Sequence, residues 1–162
     1  QYRREPVAAF AITRERDISV IDIRNPPDIF GIAYLTFSSL AEAGVDVDLI
    51  LQTSPGGRGC GIMFTVRGED SSAALDTMKT LYEKYDKTEI ILNRSAEKIS
   101  ISGLGMRGGV GTAARILKTL YREDIFILGI STSEIKISLA VEEKYADAAM
   151  NALLREFEMY PN

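Results

Sequence analysis

The chain has 162 residues, of which 46% are hydrophobic, so it is long enough for one ordinary domain or two small ones and apolar enough to bury a core. Its formal net charge of −4 at pH 7 disfavours nucleic-acid binding, because such proteins usually present a basic surface. The sequence contains no histidine and a single cysteine, Cys60. It therefore excludes Ser-His-Asp or Cys-His catalysis, a histidine metal site and an internal disulfide within this chain.

Cys60 is expected to be a small structural residue near the start of a strand, because a thiolate nucleophile needs an activating base and the usual one is missing. No apolar run approaches the roughly 18 residues of a membrane span. Residues 1–6 are expected to form a polar tail, with no apolar signal segment behind it. These features predict a cytoplasmic protein with no membrane partner.

The first half of the chain alternates between the period of a strand and that of a helix. The resulting order, β-α-β-β-α-β, is the split βαβ or ferredoxin-like arrangement, in which both helices cover one face of an antiparallel sheet. The predicted elements are strand 18–23, helix 31–43, strands 45–52 and 62–66, a helix capped by Asp70 or Ser71, and strand 89–92. The buried helix faces are predicted to be Ala33, Phe37, Leu40 and Ala41, and then Ala74, Met78, Leu81 and Tyr85.

The same order begins again in the second half. A shift of 80 residues places residues 31–33 on residues 111–113 and Leu40 on Leu120, so two copies of one unit explain the length better than a single domain. The second copy is predicted to contain strand 99–101, helix 111–122, strands 125–130 and 135–141, and helix 145–157. Its buried helix faces are predicted to be Ala113, Leu117, Leu120 and Tyr121, and then Ala146, Ala149, Leu153 and Phe157.

The second copy lacks a fourth strand, since only five residues follow Phe157, whereas residues 7–13 form a surplus strand before the first copy. We predict that residues 7–13 complete the sheet of the second copy, so that the first copy is an insertion within the second. The expected fold class is therefore α+β, with two ferredoxin-like units. The expected boundaries are a tail at 1–6, a first unit at 14–94, and a second unit made of 7–13 and 95–162.

The strand at 45–52 alternates in polarity. Asp48 and Gln52 are predicted to share the face that points away from the helices. The equivalent strand, residues 125–130, is apolar on both faces, which indicates that something covers its far face. Another copy of the unit is the expected cover, through sheets or sheet edges.

Residues 103–108 spell G-x-G-x-x-G between a strand and a helix, the pattern of dinucleotide-binding loops. The acid needed for the ribose would be Glu134, but it opens a hairpin rather than ending a parallel strand. A nucleotide-binding enzyme domain stays open as an alternative, and the loop would also suit a smaller anion such as a carboxylate. RNA recognition by the same order of elements is disfavoured, because strands 62–66 and 135–139 lack the paired aromatics.

Residues 130–138, Ile-Ser-Thr-Ser-Glu-Ile-Lys-Ile-Ser, closely resemble a signature of aspartate kinase regulatory regions. Residues 39–48 with Leu51-Gln52 resemble the first ACT unit of that family, and residues 103–107 with 111–113 resemble the second. The resemblance covers nearly the whole chain. It implies the regulatory portion of an enzyme that phosphorylates the side-chain carboxylate of L-aspartate, either as a small subunit or as an excised part. An ACT sensor of another enzyme is the alternative.

The resemblance further implies that this chain carries no catalytic residues and no cofactor, since ATP and Mg²⁺ belong to a separate catalytic domain or subunit. It implies a homodimer through the ACT units, which would bind an end product, L-lysine or L-threonine, for feedback inhibition. The effector carboxylate is expected on N–H groups near Gly31 or residues 109–111, and its amines near Asp48 or Glu134. Inhibition then requires different effector affinities in the active and inactive states.

The matched effector positions favour lysine. Phe30 departs from the family loop of the first unit, and residues 109–111 replace a usual His-Pro-Gly in the second. Phe126 stands where an asparagine commonly helps to hold threonine, whereas Asp48, Ser133 and Glu134 are retained and suit an ammonium-bearing effector. The full expected set is Asp28, Gly31, Ile32, Ala33, Asp48, Gln52, Gly109, Val110, Gly111, Phe126, Ile127, Ser133 and Glu134.

Overall fold

The computed structural model describes residues 10–52, 61–103, 111–133 and 135–157. Two compact units are present. We call residues 17–96 the inserted unit, and we call residues 10–16 together with 97–157 the split unit. In chain order the described elements are β1 (Phe10–Arg24), α1 (Ile32–Glu42), β2 (Val47–Gln52), β3 (Gly61–Arg67), α2 (Ser71–Tyr82), β4 (Glu89–Gly103), α3 (Thr112–Arg122), β5 (Ile127–Thr132), β6 (Lys136–Glu142) and α4 (Glu143–Glu156).

The inserted unit has the strand order β2-β3-β1-β4, with β3 antiparallel to both of its neighbours. Its two helices bury one face of this sheet. This is the ferredoxin-like arrangement that the element order predicts. The core residues are Ile21, Ile23, Ile32, Leu40, Val45, Ile62, Phe64, Val66, Ala74, Met78 and Tyr82.

The split unit has the strand order β1-β4-β6-β5, so the N-terminal strand supplies its fourth strand, as predicted. Its helices, α3 and α4, cover one sheet face. A buried Arg14–Glu97 ion pair, 2.8 Å between Nη2 and Oε2, ties the early part of β1 to β4. The core residues are Ile99, Ile101, Ile116, Leu120, Ile125, Ile137, Leu139, Val141, Ala146, Ala149, Leu153 and Phe157.

Two pairs of predicted strands are each one continuous strand in the structure. β1 joins the predicted strands 7–13 and 18–23 into one strand that begins at Phe10 in the described part of the chain. Residues 7–9 lie outside the described residues. Asp17 adopts a φ of 57° within β1, a left-handed conformation that aspartate tolerates better than most residues. The polar stretch 93–97 stays extended within β4, which joins the predicted strands 89–92 and 99–101.

The predicted helix faces are correct for α4 and partly wrong for the other helices. On α3, Leu117 and Tyr121 are exposed, because the buried stripe runs through Ile116 and Leu120 instead. On α1 the stripe passes through a polar residue, Thr36. On α2 it ends at Tyr82, while Leu81 and Tyr85 are only partly buried. In each case a residue one position away from the predicted one fits the helical period.

A β-bulge changes the phase of β2. Val47 pairs with Val66 and Ile50 pairs with Phe64, so Asp48 and Leu49 together oppose the single residue Thr65. The Leu49 N–H donates to the Thr65 hydroxyl, 3.0 Å away, instead of to a backbone carbonyl. β5 has the same irregularity between Ile127 and Gly129, which repeats the feature in the split unit.

The bulge overturns the predicted face of Gln52. Beyond it, Gln52 pairs with Ile62, a residue of the helix-covered core. Directly paired residues share a sheet face, so Gln52 lies on the face of Val47 and not on that of Asp48. Strict alternation had placed Asp48 and Gln52 together because it could not register the extra residue.

Candidate functional site

A cavity of about 360 Å³ opens at the start of α1 in the inserted unit. The loop after β1, the first turn of α1, and the facing ends of β2 and β3 form its wall. The described lining residues are Pro26, Pro27, Asp28, Ile29, Phe30, Gly31, Ile32, Ala33, Gln52 and Ile62. Most of this wall is apolar, and Asp28 is its single ionisable side chain among the described residues.

Gly31 begins α1 in a left-handed conformation, with φ 82° and ψ 10°, and no side chain caps the helix. The Ile32 N–H donates to the Ile29 carbonyl, 3.2 Å away, and the Leu35 N–H donates to the Gly31 carbonyl, 3.0 Å away. Within the described ranges, the N–H groups of Ala33 and Tyr34 meet no such acceptor. Free first-turn N–H groups and the positive end of the helix dipole favour a bound anion.

The polar side chains of the cavity complement that helix start. Asp28 comes from the loop before α1, and the bulge in β2 brings Gln52 to the same wall. An anionic group would be stabilised at the N–H groups and a cationic group at the Asp28 carboxylate. The Gln52 amide offers both a donor and an acceptor. This combination suits a small zwitterion.

The structure brings together five of the predicted site residues, and they are Asp28, Gly31, Ile32, Ala33 and Gln52. Asp48 does not line the described wall, since it belongs to the bulge and lies on the other face of β2 from Gln52. Three further predicted residues, Gly109, Val110 and Glu134, lie outside the described residues.

The remaining predicted residues belong to the split unit. Gly111 begins α3 with a φ of 95°, which repeats the helix start at Gly31. Ile127 begins β5, and the preceding Phe126 is largely exposed. Ser133 donates its N–H to the Lys136 carbonyl, 2.8 Å away, and so closes the β5–β6 hairpin.

Two buried residues linked to the cavity-lining Ile32 were not predicted from the sequence. The Thr36 hydroxyl donates to the Ile32 carbonyl at 2.7 Å, and its oxygen lies 2.6 Å from the Tyr82 phenol oxygen. Both side chains are buried. Burial raises the pKa of Tyr82, against the opposing effect of the Thr36 hydrogen bond, so the phenol keeps its proton. The available signal was the helical spacing of Thr36 between Ile32 and Leu40.

Comparison with known proteins places these units in a family. A model of the ACT domain matches residues 99–157, which is the split unit without its N-terminal strand. A crystal structure of aspartokinase alpha and beta subunits is 34% identical, covers 91% of this chain and 97% of that chain, and has a TM-score of 0.84. The ligand-free regulatory subunit of aspartate kinase from Thermus thermophilus is 30% identical, with 94% and 99% coverage and a TM-score of 0.84. The chain belongs to the aspartate kinase family, as its regulatory part.

The aspartokinase of Pseudomonas aeruginosa is 37% identical over 91% of this chain, but the match covers 36% of that protein. The chain thus spans about a third of the length of the curated aspartokinases it matches. The described part of this regulatory region contains no helix with the length and apolarity to cross a membrane. Nor do its described residues include a cluster of three potential metal ligands among Cys, Asp and Glu.

The topology of the regulatory region also decides against the dinucleotide-binding alternative. A dinucleotide-binding role for the Gly103–Gly108 loop requires a further parallel crossover after β5, whereas the next strand, β6, pairs antiparallel with β5. Residues 104–108 themselves lie outside the described residues. Gly103 ends β4, and its N–H donates to the Ile135 carbonyl at 3.3 Å.

Proposed function

We propose that this chain senses an end-product amino acid for feedback inhibition of an aspartate kinase, and that the cavity of the inserted unit is its effector site. One observation carries the proposal: the uncapped start of α1 lines the same cavity of about 360 Å³ as Asp28 and Gln52. Aspartate phosphorylation itself, with ATP and Mg²⁺, is assigned to a catalytic domain or subunit to which this region couples. Inhibition follows if the effector binds the inactive state more tightly than the active one.

The effector is oriented by its two backbone charges. Its carboxylate accepts hydrogen bonds from the N–H groups of Ala33 and Tyr34, where the helix dipole also favours a negative charge. Its α-ammonium group is neutralised by Asp28, which takes the role that the sequence analysis gave to Asp48 or Glu134. Gln52 donates and accepts hydrogen bonds with the backbone polar groups of the effector. Ile62, Pro26 and Pro27 contact the effector side chain.

Lysine is the first choice of effector and threonine the second. Phe126, in the split unit, replaces the asparagine that the family resemblance associates with threonine. The net charge of −4 favours a ligand with an extra positive charge. The apolar part of the cavity wall suits the methylene chain of lysine, since such chains pack on apolar surface while the charged end stays in water.

A second copy of the chain is the proposed cover of the cavity mouth. Phe30, which belongs to the cavity wall, is fully exposed, and Tyr34 and Ile50 are exposed as well. Large exposed apolar side chains are typical of interaction surfaces. A homodimer formed through this surface would link effector binding to the placement of the two copies.

Calorimetric titration and thermal unfolding test the proposal. Lysine should raise the melting temperature most, threonine less, and methionine, ATP and NAD little, because a ligand of the folded state stabilises it. Asp28→Asn should weaken lysine binding about tenfold or more, since a charge-assisted contact is lost. Asp46→Asn is the matched control, because Asp46 is an exposed acid outside the described wall. The proposal would be contradicted if the melting temperature rose only with ATP or NAD, or if no amino acid raised it.

A further inference from the structure

We infer that Thr36 and Tyr82 are positioning residues that orient the Ala33 N–H toward the effector carboxylate. The inference rests on the proposed function of the cavity. The Thr36 hydroxyl has a single proton, and this proton is donated to the Ile32 carbonyl, 2.7 Å away. The 2.6 Å contact between the two hydroxyl oxygens must then use the Tyr82 proton. The order of donation is Tyr82 to Thr36 to Ile32.

The chain of hydrogen bonds ends at the cavity because of the peptide plane. The Ile32 carbonyl and the Ala33 N–H belong to one planar peptide group, with oxygen and hydrogen on opposite sides. The hydrogen bond from Thr36 fixes the direction of the Ile32 carbonyl oxygen, and it therefore also fixes the direction of the Ala33 N–H on the other side of the same peptide plane. Each donated hydrogen bond also polarises the next, which strengthens the N–H as a donor. Ala33 lines the cavity, and the structure places no acceptor on its N–H within the described residues.

The split unit provides an internal comparison. The shift of 80 residues places Thr36 on Ile116, and a shift of 75 places Met78 on Leu153 and Tyr82 on Phe157. Ile116 and Phe157 are both buried in the core of the split unit and carry no hydroxyl. The fold therefore forms with an apolar pair at these positions. Among the described residues, the hydroxyl chain therefore belongs to the inserted unit, whose helix α1 lines the cavity.

Three variants separate positioning from packing. Thr36→Val removes the contact to Ile32 and leaves the buried Tyr82 hydroxyl without its partner, so it should lower stability and weaken lysine binding about tenfold. Tyr82→Phe leaves Thr36 bonded to Ile32 and should weaken binding about threefold. The double variant Thr36→Ile/Tyr82→Phe copies the split-unit pair, so it should regain stability relative to Thr36→Val without regaining affinity.

The measurements are calorimetric titrations with lysine and with threonine, thermal melts, and the amide proton shift of Ala33 by NMR. The controls are Thr119→Val, which removes a hydroxyl-to-carbonyl bond of the same type, to Arg115 on α3, and Tyr85→Phe, which removes the hydroxyl from the ring next to Tyr82. Both should bind like wild type. If the Thr36 and Tyr82 variants melted at a lower temperature but kept the wild-type affinity and Ala33 chemical shift, this inference would be wrong while the proposed function would stand. A wild-type protein that binds neither amino acid would overturn the proposed function and, with it, this inference.

Discussion

Gln52 pairs with Ile62 across β2 and β3, and this register places Gln52 in the wall of the cavity at the start of α1. The register exists because Asp48 and Leu49 oppose only Thr65. A strand without that extra residue would present Gln52 on the opposite face, since a shift of one residue inverts every side chain. The composition of the cavity wall thus depends on one bulge about four residues away.

Thr65→Val should lower the free energy of unfolding by about 1–3 kcal/mol, because it leaves the buried Leu49 N–H without its acceptor while keeping the shape of the side chain. Denaturant unfolding measures this loss. Thr77→Val is the control, because its hydroxyl bond to the Ala73 carbonyl is exposed and should matter by less than about 0.5 kcal/mol. Equal losses in the two variants would argue against a structural role for the bulge contact.

Gly31→Ala and Gly111→Ala should each cost about 1–2 kcal/mol of stability, because both glycines begin a helix at positive φ where a Cβ is strained. Neither Cβ would clash, since each position has open space within 4 Å. Their effects on lysine binding should differ, as only Gly31 lines the described cavity. Paired melts and titrations measure both quantities. If both variants lost lysine binding to the same extent, the effector site would not be confined to the inserted unit.

Arg14→Ala should lower the free energy of unfolding by about 2–3 kcal/mol, because the buried Glu97 carboxylate then keeps only a 4.0 Å contact to the exposed Arg16. The side chains of Arg14 and Glu97 are only 18% and 3% exposed. Arg24→Ala is a matched control on the same strand: its pair with Asp22 is 57% and 30% exposed, and its loss should cost under about 1 kcal/mol. Urea unfolding compares the two, and a similar midpoint shift would show that burial does not set the value of these pairs.

Tyr82→Phe should reduce the loss of stability at alkaline pH. Burial raises the pKa of Tyr82 in the folded state. Its contribution to stability is therefore present in full below the ordinary tyrosine pKa of about 10 and is lost as the pH rises through the raised value. Urea midpoints from about pH 8 to 11 should fall less steeply in the variant. Tyr34→Phe, at an exposed position, should keep the wild-type slope, and identical slopes in all three proteins would contradict the assignment.

Much of the fold follows from the sequence. The periodicity of α4 locates its buried face correctly, because Ala146, Ala149, Leu153 and Phe157 form an uninterrupted apolar stripe. The shortage of one strand in the second copy correctly assigns the N-terminal strand to it. Both inferences depend on patterns that repeat over many residues, where a single exception changes little.

The site was less predictable, because it depends on single residues. A bulge adds one residue to β2 without any mark in its polarity, so the predicted face of Gln52 is wrong, although Gln52 does line the candidate cavity. Thr36 and Tyr82 were passed over because hydroxyl groups suggest a surface, and only their pairing in three dimensions explains their burial.

The ACT match at residues 99–157 omits the strand that completes the split unit. In gene terms that unit is a circular permutant, since its last strand is encoded first and the inserted unit separates it from the rest. A fragment cut at the family boundary would expose the edge of β4 and would lose both Arg14 and Glu97, the ion pair that ties β1 to β4. A gene that begins at residue 97 and places residues 10–16 after Phe157 would encode the same unit as one uninterrupted segment.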